Sequence, residues 1–162
     1  MTTRADLEGF LRATLRIEDA AVAAQGRALA RMDPGAEGFD EAVRTLVAAV
    51  QRYYGDAAAQ AASEWYLGLR PEGLAPMRRV AVPPVADSEH SAEILHRRGR
   101  GLLDDITRRV VRGQARAAVQ RSLSVDPAAV RYARVPRGAA TCAFCLMLAS
   151  RGFVYASKGS AL

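Results

Sequence analysis

The first third of the chain repeats its core-compatible positions every three or four residues. Leu7, Phe10, Leu11, Thr14, Leu15, Val22, Leu29 and Met32 fall on one stripe at that spacing, which predicts an amphipathic helix running to about Arg31. Thr3 followed by Asp6 is a weak N-cap signal ahead of it. MDPGAEG, from Met32 to Gly38, stops the helix with a proline and two glycines. A second stripe follows in Phe39, Val43, Leu46, Val47, Val50, Tyr54, Ala58, Ala61, Trp65 and Leu69. It predicts a helix of about 30 residues, near 45 Å long at 1.5 Å per residue, with Gly55-Asp56 as a place for a bend. Two long helices joined by a short loop make an antiparallel hairpin. One hairpin cannot bury both stripes, so a third element or a protein partner has to cover it.

Residues 70–87, RPEGLAPMRRVAVPPVAD, hold four prolines and read as an extended connector, because each proline pushes its predecessor out of helical geometry. Asp87 or Ser88 can cap a short helix through SEHSAEILHRR, interrupted by Gly99 and Gly101. LLDDITRRVVRGQARAAVQRSL then predicts a further helix with Leu103, Ile106, Val110, Ala117 and Leu123 inward. Its other face carries Arg108, Arg109, Arg112, Arg116 and Arg121. Asp126-Pro127 offers N-cap and first-turn chemistry for one more turn. VRYARV alternates as a short strand does, PRGAAT is a turn, CAFCLMLAS a short helix and FVY a return strand.

Length, 162 residues, fits one domain with at most a small appendage. The net charge of +6 is uneven. Residues 1–90 hold 10 basic and 13 acidic side chains, and residues 91–162 hold 13 basic and 4 acidic. The two halves therefore face different partners, or each other. Lys158 is the only lysine among 23 basic residues, which follows from a GC-rich genome and also supplies forks suited to phosphate and carboxylate. No apolar run approaches the roughly 18 residues of a membrane span, and the N-terminus lacks a signal-peptide core. Two cysteines do not make a secreted disulfide framework. These features predict a soluble protein made in a cytoplasm.

Those two cysteines, Cys142 and Cys145, stand in a C-x-x-C loop. Such a loop can present two thiolates to one zinc, but zinc wants four ligands and no cysteine or histidine follows. The simpler reading is small residues packed with Phe144, Leu146 and Met147; a redox pair lacks the usual βαβ setting. His90 and His96 are the only histidines; solvated helix positions explain them, and their order and spacing do not match a Cys2His2 site. The arginine face of the last helix suits a polyanion, without interleaved aromatics for base stacking and without a recognisable reading motif. A solvated face, or one paired with the acidic first half, is the simpler account. Glu18-Asp19 and Asp104-Asp105 are neighbours in helices and point to different faces. No phosphate loop, nucleophile elbow or H-E-x-x-H is present.

Residues 124–161 read as a unit: an arginine-bearing helix, the step Asp126-Pro127, Arg134-Val135, then Cys142, Phe144, Cys145, Met147, Leu148, Ala149, Ser150, Arg151, Gly152 and Tyr155. This string resembles the closing module of MuF-like minor head (minor capsid) proteins of tailed phages that infect actinobacteria, some of which carry the label capsid maturation protease. The upstream helices match only in kind. The resemblance implies a mainly α protein: a long helical hairpin plus a further helix, with a small C-terminal α/β zinc-knuckle-like module. Residues 1–125 would be a portal-docking region with a proline-rich connector at 70–87, and residues 126–162 the Cys-x-x-Cys module. It implies zinc at Cys142 and Cys145 as a half-site, with the remaining ligands absent from this chain: they lie in a continuation beyond Leu162, or the second half-site is lost. It also implies a few-copy structural protein of the virion head, assembled in the host cytoplasm. Its partners would be the portal and other head proteins, with nonspecific contact to packaged DNA, no membrane and no small-molecule substrate. The alternative is a maturation protease using Cys142 with His90 or His96.

Overall fold

In the computed structural model residues 4–70 and 72–126 are described. They form α1 (Arg4–Leu29), α2 (Phe39–Gly68), α3 (Ser91–Arg98) and α4 (Arg100–Val125). The turn after α1 is built locally: the Asp33 carboxylate accepts the Gly35 N–H at 2.9 Å, and Gly38 enters α2 with φ of 77°, a left-handed geometry that favours glycine. Asp40 and Glu41 in the first turn of α2 suit its dipole. α2 runs unbroken through Gly55-Asp56. A Cβ at Gly55 would stand 2.9 Å from Gln114 Cγ, so this glycine serves close approach of α4. Ser88, expected as a cap, instead accepts both the N–H and the hydroxyl of Ser91 through its carbonyl, and α3 starts after His90.

α1, α2 and α4 pack mutually, and α3 rests on α2 and α4. Trp65 near the end of α2 stacks on Phe10 of α1, with ring centroids 4.5 Å apart, and its indole N–H donates to the Asp6 carbonyl. α1 and α2 are therefore antiparallel, as the hairpin predicts. Gln25 reaches Asp104 while Glu18 reaches Arg112, so α4 also runs against α1 and hence along α2. Two parallel helices need a connection that returns the whole length of the bundle. About 45 Å of helix calls for roughly 15 residues of extended chain at about 3.1 Å each. The proline-rich connector carries the chain from the end of α2 back to the level of Gln51, where Asp87 is held, and α3 completes the return; Val82 packs from the connector against the core. The third element that the hairpin required is α4.

The core falls into two apolar clusters. One holds Ala21, Val50, Ala58, Ala59, Ala62, Val111, Ala115 and Ala118; the other holds Val43, Val47, Ala92 and Leu103, with Leu29, Phe39 and Leu95 packed on it. Between them lies a polar layer with one residue from each long helix: Gln25, Gln51 and Thr107, all fully buried. The Asp87 N–H donates to Gln51 Oε1 at 2.6 Å. Gln51 Nε2 donates to the Asp87 carbonyl and to Thr107 Oγ1, each at 3.3 Å. The Thr107 hydroxyl donates to Gln25 Oε1 at 2.7 Å, and Gln25 Nε2 donates to Asp104 Oδ1 at 2.9 Å. Arg100 Nε closes the line at 3.3 Å from Asp104 Oδ2. Each nitrogen and hydroxyl in this relay donates to at least one acceptor, and aligned bonds of this kind polarise one another.

Three expectations are corrected. The buried line of α1 is Thr14, Glu18, Ala21 and Gln25, while Leu15 is exposed. On α4, Leu103 is inward as expected, but Thr107, Val111, Gln114, Ala115, Ala118 and Ser122 form the buried face; Ile106, Val110, Ala117 and Leu123 are half-buried. Helices lined by alanine and hydrogen-bonded polar groups approach closely, so the large aliphatics move to the flanks. The third correction concerns fold class. The protein is mainly α, but no strand and no group of three or more His, Cys, Asp or Glu able to hold a metal occurs among the described residues, so the α/β zinc-knuckle-like module is not found. The stretch expected to form it lies outside the described residues from Pro127 onward, Cys142 and Cys145 included.

Thr107→Val keeps the shape of the side chain but leaves Gln25 Oε1 without a donor and weakens the hold on Gln51. It lowers the unfolding free energy by about 2–3 kcal/mol, whereas Thr107→Ser, which keeps the hydroxyl, costs about 1 kcal/mol. Urea titration of both variants measures the difference; equal losses would show that the methyl group, not the relay, is what matters.

Candidate functional site

The five arginines proposed for polyanion contact all lie on α4, and the structure divides them. At 100° per residue, Arg109, Arg112 and Arg116 follow one another along one side, with Arg108 turned toward α1 and Arg121 turned away. α1 meets this side with Glu18 and Asp19. Arg112 Nε donates to Glu18 Oε1 at 2.8 Å, and Arg112 Nη2 donates to the second oxygen, a bidentate arrangement that suits guanidinium and carboxylate. Arg108 Nη1 donates to Asp19 Oδ1. The side chain of Glu18 is 1% exposed and that of Asp19 67%. The neighbouring acids do project differently, yet arginines one turn apart on α4 reach both.

Hydrogen bonding to Glu18 raises the Arg112 pKa above its ordinary value, with burial opposing. Hydrogen bonding to Asp19 does the same for Arg108. A raised arginine pKa contributes stability that is present at every pH below the unfolded value and is lost only above the folded one. The arginine side of these bridges therefore stays charged throughout the range in which proteins function. Arg109, Arg116 and Arg121 are exposed and make no ion pair among the described residues.

Sorting charge by region changes the picture further. Residues 1–126 contain 18 basic and all 17 acidic side chains. Residues 127–162 contain five basic residues, Arg131, Arg134, Arg137, Arg151 and Lys158, and no acid. The helical bundle is close to neutral, and nearly the whole positive excess belongs to the sequence after it. An arginine face on α4 is thus partly an internal seam.

His90 precedes α3 and is exposed. His96 Nε2 lies 2.9 Å from Asp40 Oδ1, and its ring sits 5.8 Å from that of Phe39. His96 borders a shallow depression of about 360 Å³ over Leu29, Ala30, Pro34, Phe39 and Leu95. Cys142 and Cys145 lie outside the described residues. The sequence stripes missed Glu18, Gln25, Gln51 and Thr107. Their signal was present: Glu18 and Gln25 are seven residues apart in one line with Ala21, the spacing of a buried seam.

The described residues thus define a three-helix bundle, crossed by a polar layer and sealed along one edge by arginine–carboxylate pairs, with a short fourth helix at one end. No helix among them is long and apolar enough to cross a membrane. The family model described as VG15 protein matches residues 1–162, and the chain belongs to that family, which is a viral protein family. Comparison with curated proteins and with solved structures found no match.

Arg112→Ala strands a buried carboxylate and destabilises the protein by about 2–3 kcal/mol. Arg109→Ala and Arg116→Ala change stability by no more than about 0.5 kcal/mol. Thermal or urea unfolding of the three variants separates seam from surface.

Proposed function

We propose that this VG15-family protein is a minor head protein of a tailed phage, associated with the portal on the head side and structural in role. The observation that carries the reading is the string Asp126-Pro127, Arg134-Val135 and Cys142 to Tyr155, which resembles MuF-like minor head proteins. Assignment of the whole chain to a viral family supports it. Coexpression with the portal protein of the same phage tests the role: the chain co-sediments with the portal ring, and a chain that stays free at micromolar concentrations overturns it.

A head-maturation protease is the second reading, and the Asp40 carboxylate on His96 favours it by giving one candidate base an orienting partner. Under that reading Cys142 is the nucleophile. Cys142→Ala then abolishes cleavage of head proteins while leaving assembly intact; persistence of cleavage removes the enzyme from consideration.

Contact with packaged DNA belongs to the same proposal. Arg109, Arg116 and Arg121 and the basic residues after Asp126 supply the charge, whereas Arg108 and Arg112 are already committed to α1. Duplex DNA binding therefore weakens steeply with salt and ignores sequence. Arg109→Ala/Arg116→Ala reduces the slope of log affinity against log salt by about 2 if each residue meets one phosphate. An unchanged slope excludes the α4 face from the contact.

A further inference from the structure

From the connector we infer a strand-addition site: the exposed backbone edge of Met77–Ala86 receives an extended, acidic segment of the portal protein. The inference rests on the portal reading and names the surface through which it operates.

The connector follows an extended path without helix or strand. Among the described residues, no backbone N–H or carbonyl from Met77 to Ala86 makes a hydrogen bond; Asp87, held by Gln51, is where backbone bonding resumes. The segment is nevertheless held against the bundle. Met77, Val80, Val82 and Ala86 are half-buried, and Val82 packs on the larger core cluster. Arg79 and Ala81 alternate with Val80 and Val82 and are exposed, as is Arg78. An extended chain with one side anchored and its main-chain groups unpaired is the template that strand addition uses: hydrogen bonds give affinity, and the alternating side chains give selectivity. Unguarded edges of this kind invite aggregation. The two arginines and Pro83-Pro84 limit pairing to a short stretch and to a partner that tolerates positive charge.

Side-chain chemistry defines that partner. Neither Arg78 nor Arg79 has an ion pair among the described residues, so acidic residues opposite them gain a cross-strand partner. Leu74 and Val85, two of the exposed large hydrophobic residues, flank the arginines at 40% and 56% exposure and offer apolar contact at both ends. A second copy of this chain fits poorly, because Met77–Ala86 contains no acidic residue and self-pairing offers the arginines no opposite charge across the strands.

The test uses the full chain and the portal ring of the same phage, with affinity measured at low salt. Arg78→Glu/Arg79→Glu weakens binding at least about tenfold. Ala81→Pro and Val80→Pro each remove one N–H, from opposite edges of the extended chain, and one of them, not both, weakens binding about tenfold. Thermal unfolding matching that of the unmodified protein shows that the variants are folded, as expected where no internal hydrogen bond is lost. Unchanged affinity in all three variants overturns the inference while the portal reading stands. Failure of the unmodified chain to bind the ring overturns both. A homodimer that dissociates with Ala81→Pro or Val80→Pro overturns the assignment to the portal.

Discussion

Register in this bundle depends on the hydrogen-bonded layer of Gln25, Gln51 and Thr107. The apolar faces around it are lined largely by alanine: Ala21, Ala58, Ala59, Ala62, Ala115 and Ala118. Surfaces of such uniform small residues slide past one another at little cost, because one alanine replaces the next. The polar layer does not slide. Moving α4 by one turn brings Leu103 or Val111 to the level of Thr107 and leaves two buried carboxamides with unmet bonds, at about 1–3 kcal/mol for each group. A buried polar position that fixes helix alignment is the best-attested use of such groups. Through Asp87 the same layer also fixes where the connector ends and α3 begins.

The α1–α4 seam adds a second constraint of a different kind. Glu18 is inside, and its partner Arg112 lies at the surface with its side chain 45% exposed. A carboxylate in that position is tolerated because a guanidinium meets both oxygens and remains charged at any ordinary pH. The Arg108–Asp19 pair adds less, because the Asp19 carboxylate lies at the surface, 67% exposed. The acidic character of the first half of the chain and the basic character of α4 are therefore not two separate partner-facing surfaces. Much of the opposition is spent inside the bundle, and the remaining excess lies in residues 127–162.

Helix number, order and approximate ends could be read from the sequence because periodicity, proline and glycine act locally. The stripe from Phe39 to Leu69 matches α2, Phe39–Gly68, in extent, and prolines keep the stretch after it out of helical geometry. The inward faces were less legible. Ranking by hydropathy selected Leu15, Ile106 and Val110, whereas close packing selected Thr14, Thr107 and Gln114. Which polar residue can be buried depends on a partner 56 to 82 positions away, and no local pattern contains that information. Arginine-rich text was also ambiguous: only the arrival of α1 distinguishes Arg112, tied to Glu18, from Arg109, one turn earlier and facing solvent.

Topology then links the core to the surface. Because α2 and α4 are parallel, the chain has to travel back along the bundle, and it does so too extended to satisfy its own backbone. A helix in the same place would bond internally and present only side chains. An extended return presents its backbone as well, pinned at Val82 and latched at Asp87 by Gln51. The polar layer that sets helix register is thus the same group of residues that holds the connector's end in place. A shift of α4 would disturb Gln51 and, with it, the anchorage of the only long stretch of unpaired backbone among the described residues. Internal register and the availability of an external edge are two consequences of one set of hydrogen bonds.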